Sequence, residues 1–325
     1  MLCELAHSFP QLVAELLERD RNLTRNFREE TVTDLLMASL VGLRSLGVRV
    51  DFPNEPITGG DMEWIYAAPL ELGGGRYLRL ILQAKRARYN DRAGGYWYYQ
   101  HLDHGSPPGS QAQTLIGHAA SVPGTLPLYV FYHATSATAP ATGRLPAIEG
   151  VNLVFADLVA PVVSAKCQRK DKKVSRWRAS FMPLSTILCW PVTVTPPQLP
   201  APSDITRLVI GGAETPFPLL NYGFHPDVVA RRLNERRDQN VDRKADSPMF
   251  VMPVDSERRE QDVDAKADGP TLAVPVDQIP DNIQRAINGE MTAEDRRALT
   301  RPRVIFTTRL TRNDPDYPII EKLSR

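Results

Sequence analysis

Cysteine is scarce in this chain of 325 residues, which has three, Cys3, Cys167 and Cys189, far apart in sequence. So few and so widely spaced cysteines exclude a disulfide-stapled scaffold and lack the spacing of a zinc-binding cluster. No apolar run approaches the roughly 20 residues that a membrane-spanning helix requires, and the first residues lack the basic stretch of a secretory signal. We therefore expect a cytoplasmic protein without a membrane partner.

The sequence also lacks a surplus of either charge, since its formal net charge is +1. Taken over the whole chain, this balance argues against a nucleic-acid partner. The charges are segregated, however: residues 160–178 contain seven basic residues and one acid, whereas 241–268 contain eight acids and five bases. Because a ligand meets the local field rather than the average of the chain, near-neutrality does not exclude nucleic acid.

Hydrophobic periodicity predicts an α/β fold for the first part of the chain. The order of elements is helix, three strands, helix and two strands, which indicates a mixed sheet flanked by helices. Apolar residues at helical spacing predict helices over 2–17, 29–46 and 110–120, and alternating or apolar β-branched runs predict strands over 48–52, 61–67, 77–87, 128–132 and 151–155.

The composition changes after about residue 190, where 191–202 is rich in proline. We therefore expect two parts, an α/β domain over 1–190 and a proline-rich C-terminal α+β region of uncertain fold over 191–325. This second region contains a duplication, because 241–255 and 263–277 are identical at 9 of 15 positions. The duplication is either a repeated docking motif or a repeated loop without a ligand, since two copies are too few for a stacked repeat protein. A basic helix over 225–237, a helix over 279–299 and a strand over 303–310 are also predicted.

Four polar residues are predicted to share one face of a hairpin whose turn is the glycine run 73–75. Because side chains alternate along a strand, Asp61 and Glu63 lie on one side of the first strand, and Gln83 and Lys85 lie on one side of the second. Two acids, an amide oxygen and a lysine suit metal-assisted cleavage of a phosphodiester. Oxygen donors bind Mg²⁺ or Mn²⁺, the metal activates water, and the ammonium stabilises charge on the phosphate.

These residues resemble the motif of the PD-(D/E)xK nuclease superfamily. In that family an acid at the end of one hairpin strand pairs with (D/E)xK on the next strand. Here Asp61 is similar to the first acid, Gln83 stands at the variable acid as in the QxK variant of Mrr-like and bacterial defence nucleases, and Lys85 matches the lysine. The resemblance implies a restriction-endonuclease-like fold, and it covers roughly residues 25–160, within the usual size of one domain.

The resemblance also implies further site residues. Glu30 matches the glutamate that an upstream helix often contributes, so Asp61, Glu63, Gln83 and Glu30 are the expected metal ligands. Gln113, or Gln111, matches a glutamine that approaches the site from the following helix. Glu63 is either the second acidic ligand or a solvated neighbour, and a short QxK pattern is also common on solvent-facing strands.

Two basic segments are candidates for contact with nucleic acid. The loop after Lys85 interleaves arginines with aromatic residues, a pattern that suits phosphate contacts and base stacking but also a sheet cap or a dimer interface. The stretch 166–178 could neutralise several phosphates or form a solvated hairpin tip. The candidate contact residues are Arg86, Arg88, Tyr96, Trp97, Lys170, Lys172, Lys173 and Arg176.

The sequence therefore predicts a Mg²⁺-dependent endonuclease that hydrolyses phosphodiester bonds in DNA, with RNA not excluded, and the resemblance implies bacterial defence against phage or foreign DNA. Two alternatives stay open: an inactive nucleic-acid-binding module of the same fold, and a protein-interaction subunit of a defence complex. A homodimer or a partner protein of a defence system is expected by analogy, because each site cuts one strand.

Overall fold

We describe a computed structural model of the chain over residues 2–21, 27–53, 62–69, 75–91, 94–143, 145–164, 167–189 and 278–308. Several sequence predictions fall outside the described residues. These are Asp61, the proline-rich segment 191–202, the basic helix 225–237 and the two copies of the duplication, 241–255 and 263–277.

The helices predicted over 2–17 and 110–120 form close to those bounds, whereas the helix predicted over 279–299 is divided at Gly289 into two. The second predicted helix ends earlier than expected, at Val41, and a short 3-10 turn, Arg44–Leu46, follows it. Gly47 stops this segment with a φ of 86°, a conformation that favours glycine. The helices are α1 (Leu2–Asp20), α2 (Glu29–Val41), α3 (Ser110–Ser121), α4 (Ala156–Ser164), α5 (Val174–Trp177), α6 (Ser185–Leu188), α7 (Asp281–Asn288) and α8 (Ala293–Ala298). None of these helices is both long and apolar enough to cross a membrane.

The strands form one mixed sheet of eight strands. They are β1 (Val48–Asp51), β2 (Met62–Pro69), β3 (Gly75–Asn90), β4 (Tyr96–Tyr99), β5 (Thr125–Tyr132), β6 (Val151–Phe155), β7 (Met182–Pro183) and β8 (Arg303–Thr307). Their order is β1-β8-β2-β3-β5-β6-β7, and β4 pairs with the far end of β3. The β2–β8 and β3–β5 pairs are parallel and the other pairs are antiparallel. The predicted mixed α/β sheet flanked by helices is confirmed.

The predicted boundary at residue 190 does not divide the structure into separate units. Strand β8 comes from the region predicted as a separate C-terminal part, yet it lies between β1 and β2. Helix α7 packs on the same sheet, where Ile283 joins the buried cluster of Ile65 and Ile305. The described C-terminal residues, 278–308, therefore belong to the same fold as the N-terminal ones, a pairing that periodicity along the chain cannot reveal.

The two faces of the sheet carry different helices. Trp64 and Leu82 lie on the face that packs against α1 and α2. Ile81 and Tyr129 lie on the opposite face, against α3 and α4. Since side chains alternate along β3, the odd-numbered residues of its central part, including Gln83 and Lys85, face α3.

The fold brings two of the three scattered cysteines together, which their spacing in sequence does not predict. Cys3 in α1 and Cys189 after α6 are joined by a disulfide across a sequence separation of 186 residues. Helices α1 and α6 contact each other, and this packing brings the two thiols together. Cys167 is a free, half-buried cysteine.

Candidate functional site

Lys85 and Gln83 lie on one face of β3, as their spacing predicts, but that face is also buried, whereas the sequence predicts that the opposite face packs into the core. They are 3% and 2% exposed, respectively. The Lys85 Nζ donates a hydrogen bond of 2.9 Å to Oε1 of Gln111 in the first turn of α3. Because burying an ammonium is costly unless it is hydrogen-bonded, this contact explains how the lysine is held at a fixed place under the helix.

The helix acid nearest to the hairpin is Glu29 rather than the predicted Glu30. Glu29 is half-buried, and its Oε1 accepts a hydrogen bond of 3.0 Å from the backbone N–H of Arg86, the residue after Lys85. Glu30 is exposed, and its charge together with burial raises the pKa of Asp34 one turn later. Both glutamates occupy the first turn of α2, so two carboxylates lie beside the end of β3.

A cleft of about 150 Å³ lies between the start of α2, the end of β3 and the residues after β4. Burial lowers the pKa of His101, on which the charges of Glu29, Arg88, His104 and Lys85 also act. His101 therefore lies within electrostatic reach of both Lys85 and Glu29, which links the cleft to the buried lysine. The cleft is lined by Phe27, Arg28, Glu29, Glu30, Arg86, Arg88, Gln100 and His101.

Glu63 does not have the environment of a metal ligand. It is 1% exposed, and both of its carboxylate oxygens accept hydrogen bonds from arginines, Oε2 from Arg79 at 2.7 Å and Oε1 from Arg303. Burial would raise the pKa of the Glu63 carboxyl, but Arg303 and Arg79 outweigh burial and lower it. The prediction of Glu63 as a metal ligand is therefore corrected: its register places it on the expected face, but its charge is neutralised within the fold.

The structure selects Gln111 over Gln113 as the glutamine that meets the hairpin. Gln113 is exposed, and its Nε2 donates to the Ser164 hydroxyl at 2.8 Å. Two residues further along a helix, a side chain points about 200° away, so only one of these glutamines can face Lys85. The prediction of Gln113 as a site residue is corrected on this ground.

Arg86 is corrected as a candidate for contact with nucleic acid. The residue is 8% exposed, its guanidinium pairs with the fully buried Asp20 at the end of α1, and it also donates to the carbonyl of Phe27. Burial lowers the pKa of Arg86 even though Asp20 opposes that shift. Its guanidinium joins the end of α1 to the segment before α2.

The aromatic loop and the basic segment meet on one surface, although they are 70 residues apart in sequence. Tyr99 N–H donates to the carbonyl of Lys172 at 2.9 Å, and Tyr98 forms a bridge with Lys173. We call the group of Tyr96, Arg169 and Lys173 the aromatic-basic surface. Trp97 follows Tyr96 in β4 and points to the other face of this strand, where it lies beside Tyr89 and Arg21.

Cations stack on aromatic rings on both faces of β4. Arg169 and Lys173 lie 5.0 Å and 4.9 Å from the centre of the Tyr96 ring. Arg21 lies 4.9 Å from the centre of the Tyr89 ring and 5.2 Å from that of Trp97. The Trp97 N–H is already used, since it donates to the carbonyl of Ser136 at 3.2 Å.

The other predicted basic contacts have mixed environments. Arg88 and Lys170 are exposed, and Arg176 is exposed beside the ring of Trp177 at 5.9 Å. Lys172 is engaged within the protein, because its Nζ lies 2.6 Å from Oδ1 of Asp103. The segment 167–178 forms turns followed by α5 and not a hairpin tip.

Sequence reasoning did not single out Glu29 or His101. Glu29 is three residues before buried Val32 and four before buried Thr33, so the helical period of α2 could have placed it on the side that faces the sheet. His101 lacks the spacing of a metal site, and only its place after β4 puts it in the cleft.

Comparison with known proteins gives a family but no activity. No curated protein and no solved structure matches the chain. Residues 2–313 match a protein family that is described as a family of unknown function, DUF6615. This match spans both the N-terminal residues and β8, in agreement with their shared sheet. The chain therefore belongs to the DUF6615 family of unknown function.

Proposed function

We propose that this protein is a metal-dependent nuclease with a restriction-endonuclease-like core and that it hydrolyses phosphodiester bonds in DNA. One observation carries the proposal. The buried Lys85 of β3 is held by a hydrogen bond to Gln111 of α3, and the carboxylate of Glu29 accepts a hydrogen bond from the next backbone N–H of β3. A buried cation on β3 and an acid from α2 that binds the backbone of the same strand suit phosphoryl chemistry, because charged groups held in place can act on charge that develops at the phosphate.

The oxygen donors near the cleft fit a hard cation such as Mg²⁺ or Mn²⁺. Glu29 and Glu30 line the cleft, and the Gln83 amide lies two residues before Lys85 on the same strand face. Carboxylate and amide oxygens are ligands of these ions. Asp61, the residue directly before β2, is included as a metal ligand on the basis of the sequence alone. Glu63 is not included, because its carboxylate oxygens accept hydrogen bonds from arginines. When bound, the metal polarises a phosphate oxygen and makes a water molecule more acidic.

Lys85 is the residue that we expect to act on the phosphate. Its ammonium stabilises the negative charge that grows in the transition state, and Gln111 keeps it in place through the 2.9 Å hydrogen bond. Because Gln111 acts through the lysine, it is a positioning residue.

The aromatic-basic surface and Arg88 supply contacts for a polyanion. Exposed guanidinium groups bind phosphates, and rings held by stacked cations present flat faces to bases. Binding of this kind weakens as the salt concentration rises, since each neutralised phosphate releases counterions.

Replacing Arg169 by alanine is expected to reduce the slope of log affinity against log salt by about 1. Arg297→Ala, which removes the same charge from exposed α8, is the matched control and is expected to leave the slope unchanged.

The test of the proposal is cleavage of plasmid, linear and single-stranded DNA, and of RNA, with Mg²⁺ or Mn²⁺. Lys85→Met keeps the length of the side chain and is expected to reduce the rate at least about a hundredfold, the usual effect of removing one group that stabilises transition-state charge. Gln111→Ala is expected to slow cleavage, while Gln113→Ala, on the same helix, retains the wild-type rate. Equal rates for wild type and Lys85→Met would overturn the proposal, provided that both proteins show the same thermal unfolding.

A second candidate is a binding module of the same fold that performs no chemistry. The ion pairs of Glu63 favour it, since they remove one of the expected acidic ligands, and Gln83 provides an amide where many relatives of the superfamily have an acid. In this case neither wild type nor Lys85→Met cleaves under any metal, and both retard DNA in a low-salt gel. In that case, Arg169→Ala is expected to retard DNA less than the wild type does, and Arg297→Ala is expected to retard it as the wild type does.

A further inference from the structure

Three metal-binding side chains outside the cleft come together at the start of α1. Cys3 and His7 are one helical turn apart, so they lie on the same side of the helix. Cys189 follows α6 and lies beside Cys3, although 186 residues separate the two in sequence. The two sulfurs and an imidazole nitrogen all lie within 4.8 Å of one another. His7 is exposed and both cysteines are half-buried, so the group is accessible from solvent.

The backbone around this group is held closely. Gly150 lies against α1 so tightly that a Cβ there would be 1.8 Å from the carbonyl oxygen of Pro10. The preceding residue, Glu149, has a carboxyl group on which the charge of His7 acts. Carboxylates near metal-bound imidazoles commonly orient the ring and raise its basicity.

We propose that Cys3, His7 and Cys189 form a zinc site when the two cysteines are reduced. Two thiolates and an imidazole are a donor set that Zn²⁺ binds, and the tetrahedral fourth position is taken by water or another ligand. With zinc–sulfur bonds of about 2.3 Å, the two sulfurs of such a site are about 3.8 Å apart. In the disulfide the sulfurs are bonded at about 2.0 Å, so after reduction the two side chains must rotate apart by about 1.8 Å to bind the ion.

The disulfide and the metal site are two states of the same pair of cysteines. Reduction of the disulfide by a thiol or a phosphine transfers two electrons to the sulfurs and yields two thiols. Each thiol then loses a proton when it binds zinc. A disulfide alone requires no third donor, whereas His7 and its neighbour Glu149 provide the imidazole and the carboxylate that a metal site uses.

The experiment reduces the full chain with a phosphine, removes metal, and titrates the protein with Co²⁺ as a spectroscopic probe and then with Zn²⁺. The expected result is a thiolate-to-cobalt charge-transfer band with tetrahedral d–d bands, which zinc abolishes. Cys3→Ser and His7→Ala are expected to weaken cobalt binding at least about tenfold, as is Glu149→Gln if the carboxylate orients the ring. His7 is exposed, so its removal leaves the core intact.

Cys167→Ser is the matched control, because Cys167 is a free cysteine outside the group. This variant is expected to bind cobalt as the wild type does. If the reduced wild type gives no charge-transfer band, or if Cys167→Ser loses the band while His7→Ala keeps it, the proposal is wrong. The readout does not depend on DNA cleavage, so this proposal and the nuclease proposal can fail independently.

Discussion

At the scale of single residues, the fold uses charge in two different ways. Glu63 is neutralised between Arg79 and Arg303, and these bonds tie β2 to its neighbours β3 and β8. Lys85 is also buried, and its ammonium donates a hydrogen bond to Gln111 of α3. One buried charge therefore joins neighbouring strands, whereas the other joins a strand to a helix.

Glu63→Gln is expected to lower the free energy of unfolding by about 3 to 5 kcal/mol, because the buried Arg303 and the half-buried Arg79 lose their counter-charge. Chemical denaturation with circular dichroism measures this change. Glu15→Gln is the matched control, since Glu15 is exposed and lies 3.9 Å from exposed Arg19. Its expected effect is below about 0.5 kcal/mol. Similar losses in the two variants would show that the buried pairs do not stabilise the sheet.

His133 is a buried histidine that burial keeps neutral, with its pKa lowered to about 4. Its Nδ1 lies 2.7 Å from the carbonyl of Glu149, and its Nε2 lies 2.6 Å from the hydroxyl of Tyr99. Because a carbonyl only accepts, Nδ1 carries the proton and Nε2 accepts from Tyr99.

The protein is expected to lose stability through His133 as the pH falls from about 6.5 to about 4. In this window the unfolded chain binds a proton at His133 and the native state does not, so lower pH favours unfolding by about 3 kcal/mol at pH 4. The measurement compares the pH dependence of unfolding in wild type and His133→Gln, which removes this titration. Parallel pH profiles for the two proteins would contradict the expectation.

At the scale of elements, one glycine decides how closely α1 lies against the loop before β6. Gly150 has the carbonyl of Pro10 where a Cβ would be, so no larger residue fits without moving the helix. Gly117 in the middle of α3 has no atom within 4 Å of its Cβ position among the described residues. Replacing each glycine by alanine therefore distinguishes the effect of close packing at Gly150 from the effect of helix propensity at Gly117.

Gly150→Ala is expected to destabilise the protein by about 1 to 3 kcal/mol, since backbone must shift to relieve the contact. Gly117→Ala is expected to stabilise it by up to about 1 kcal/mol, because alanine restricts the unfolded chain and favours the helix. Thermal unfolding of both variants measures the sign of each effect. A melting temperature of Gly150→Ala at or above that of wild type would contradict this account of the α1 contact.

At the scale of the whole molecule, the C-terminal strand completes the N-terminal sheet. Strand β8 gives β1 its partner and covers one edge of β2. Removing it would expose that edge and the apolar cluster that Ile305 shares with Ile65 and Ile283. The chain therefore cannot be divided at residue 190 without loss of a central strand.

A truncated chain of residues 1–277 is expected to lose cooperative unfolding or to aggregate, because unpaired strand edges and exposed apolar faces associate. A chain of residues 1–313, which retains the family match and β8, is expected to unfold as the full chain does. Calorimetry and size-exclusion chromatography of the two truncations measure this difference. Cooperative folding of the 1–277 chain would show that β8 is dispensable.

Local patterns predicted the elements well. The period-2 alternation along 77–87 placed Gln83 and Lys85 on one face, and the glycine run before it correctly indicated an antiparallel pair of β2 and β3. Glu63 shows the limit of this reasoning, since its face was predicted correctly but its partner Arg303 is 240 residues away.

The sequence by itself determined the longer helices and strands of the N-terminal part and the face of β3 that Gln83 and Lys85 share, because these depend on the spacing of neighbouring residues, but it did not predict β4 or helices α4 to α6. Tertiary structure alone decided the partners. It made Glu63 an internal ion pair, bonded Glu29 to the backbone of β3, chose Gln111 over Gln113, inserted β8 beside β2, and joined Cys3 to Cys189. The physical reason is that burial and hydrogen bonding between distant segments set the charge and reach of a side chain, and a local pattern contains no information about which distant segment will be its neighbour.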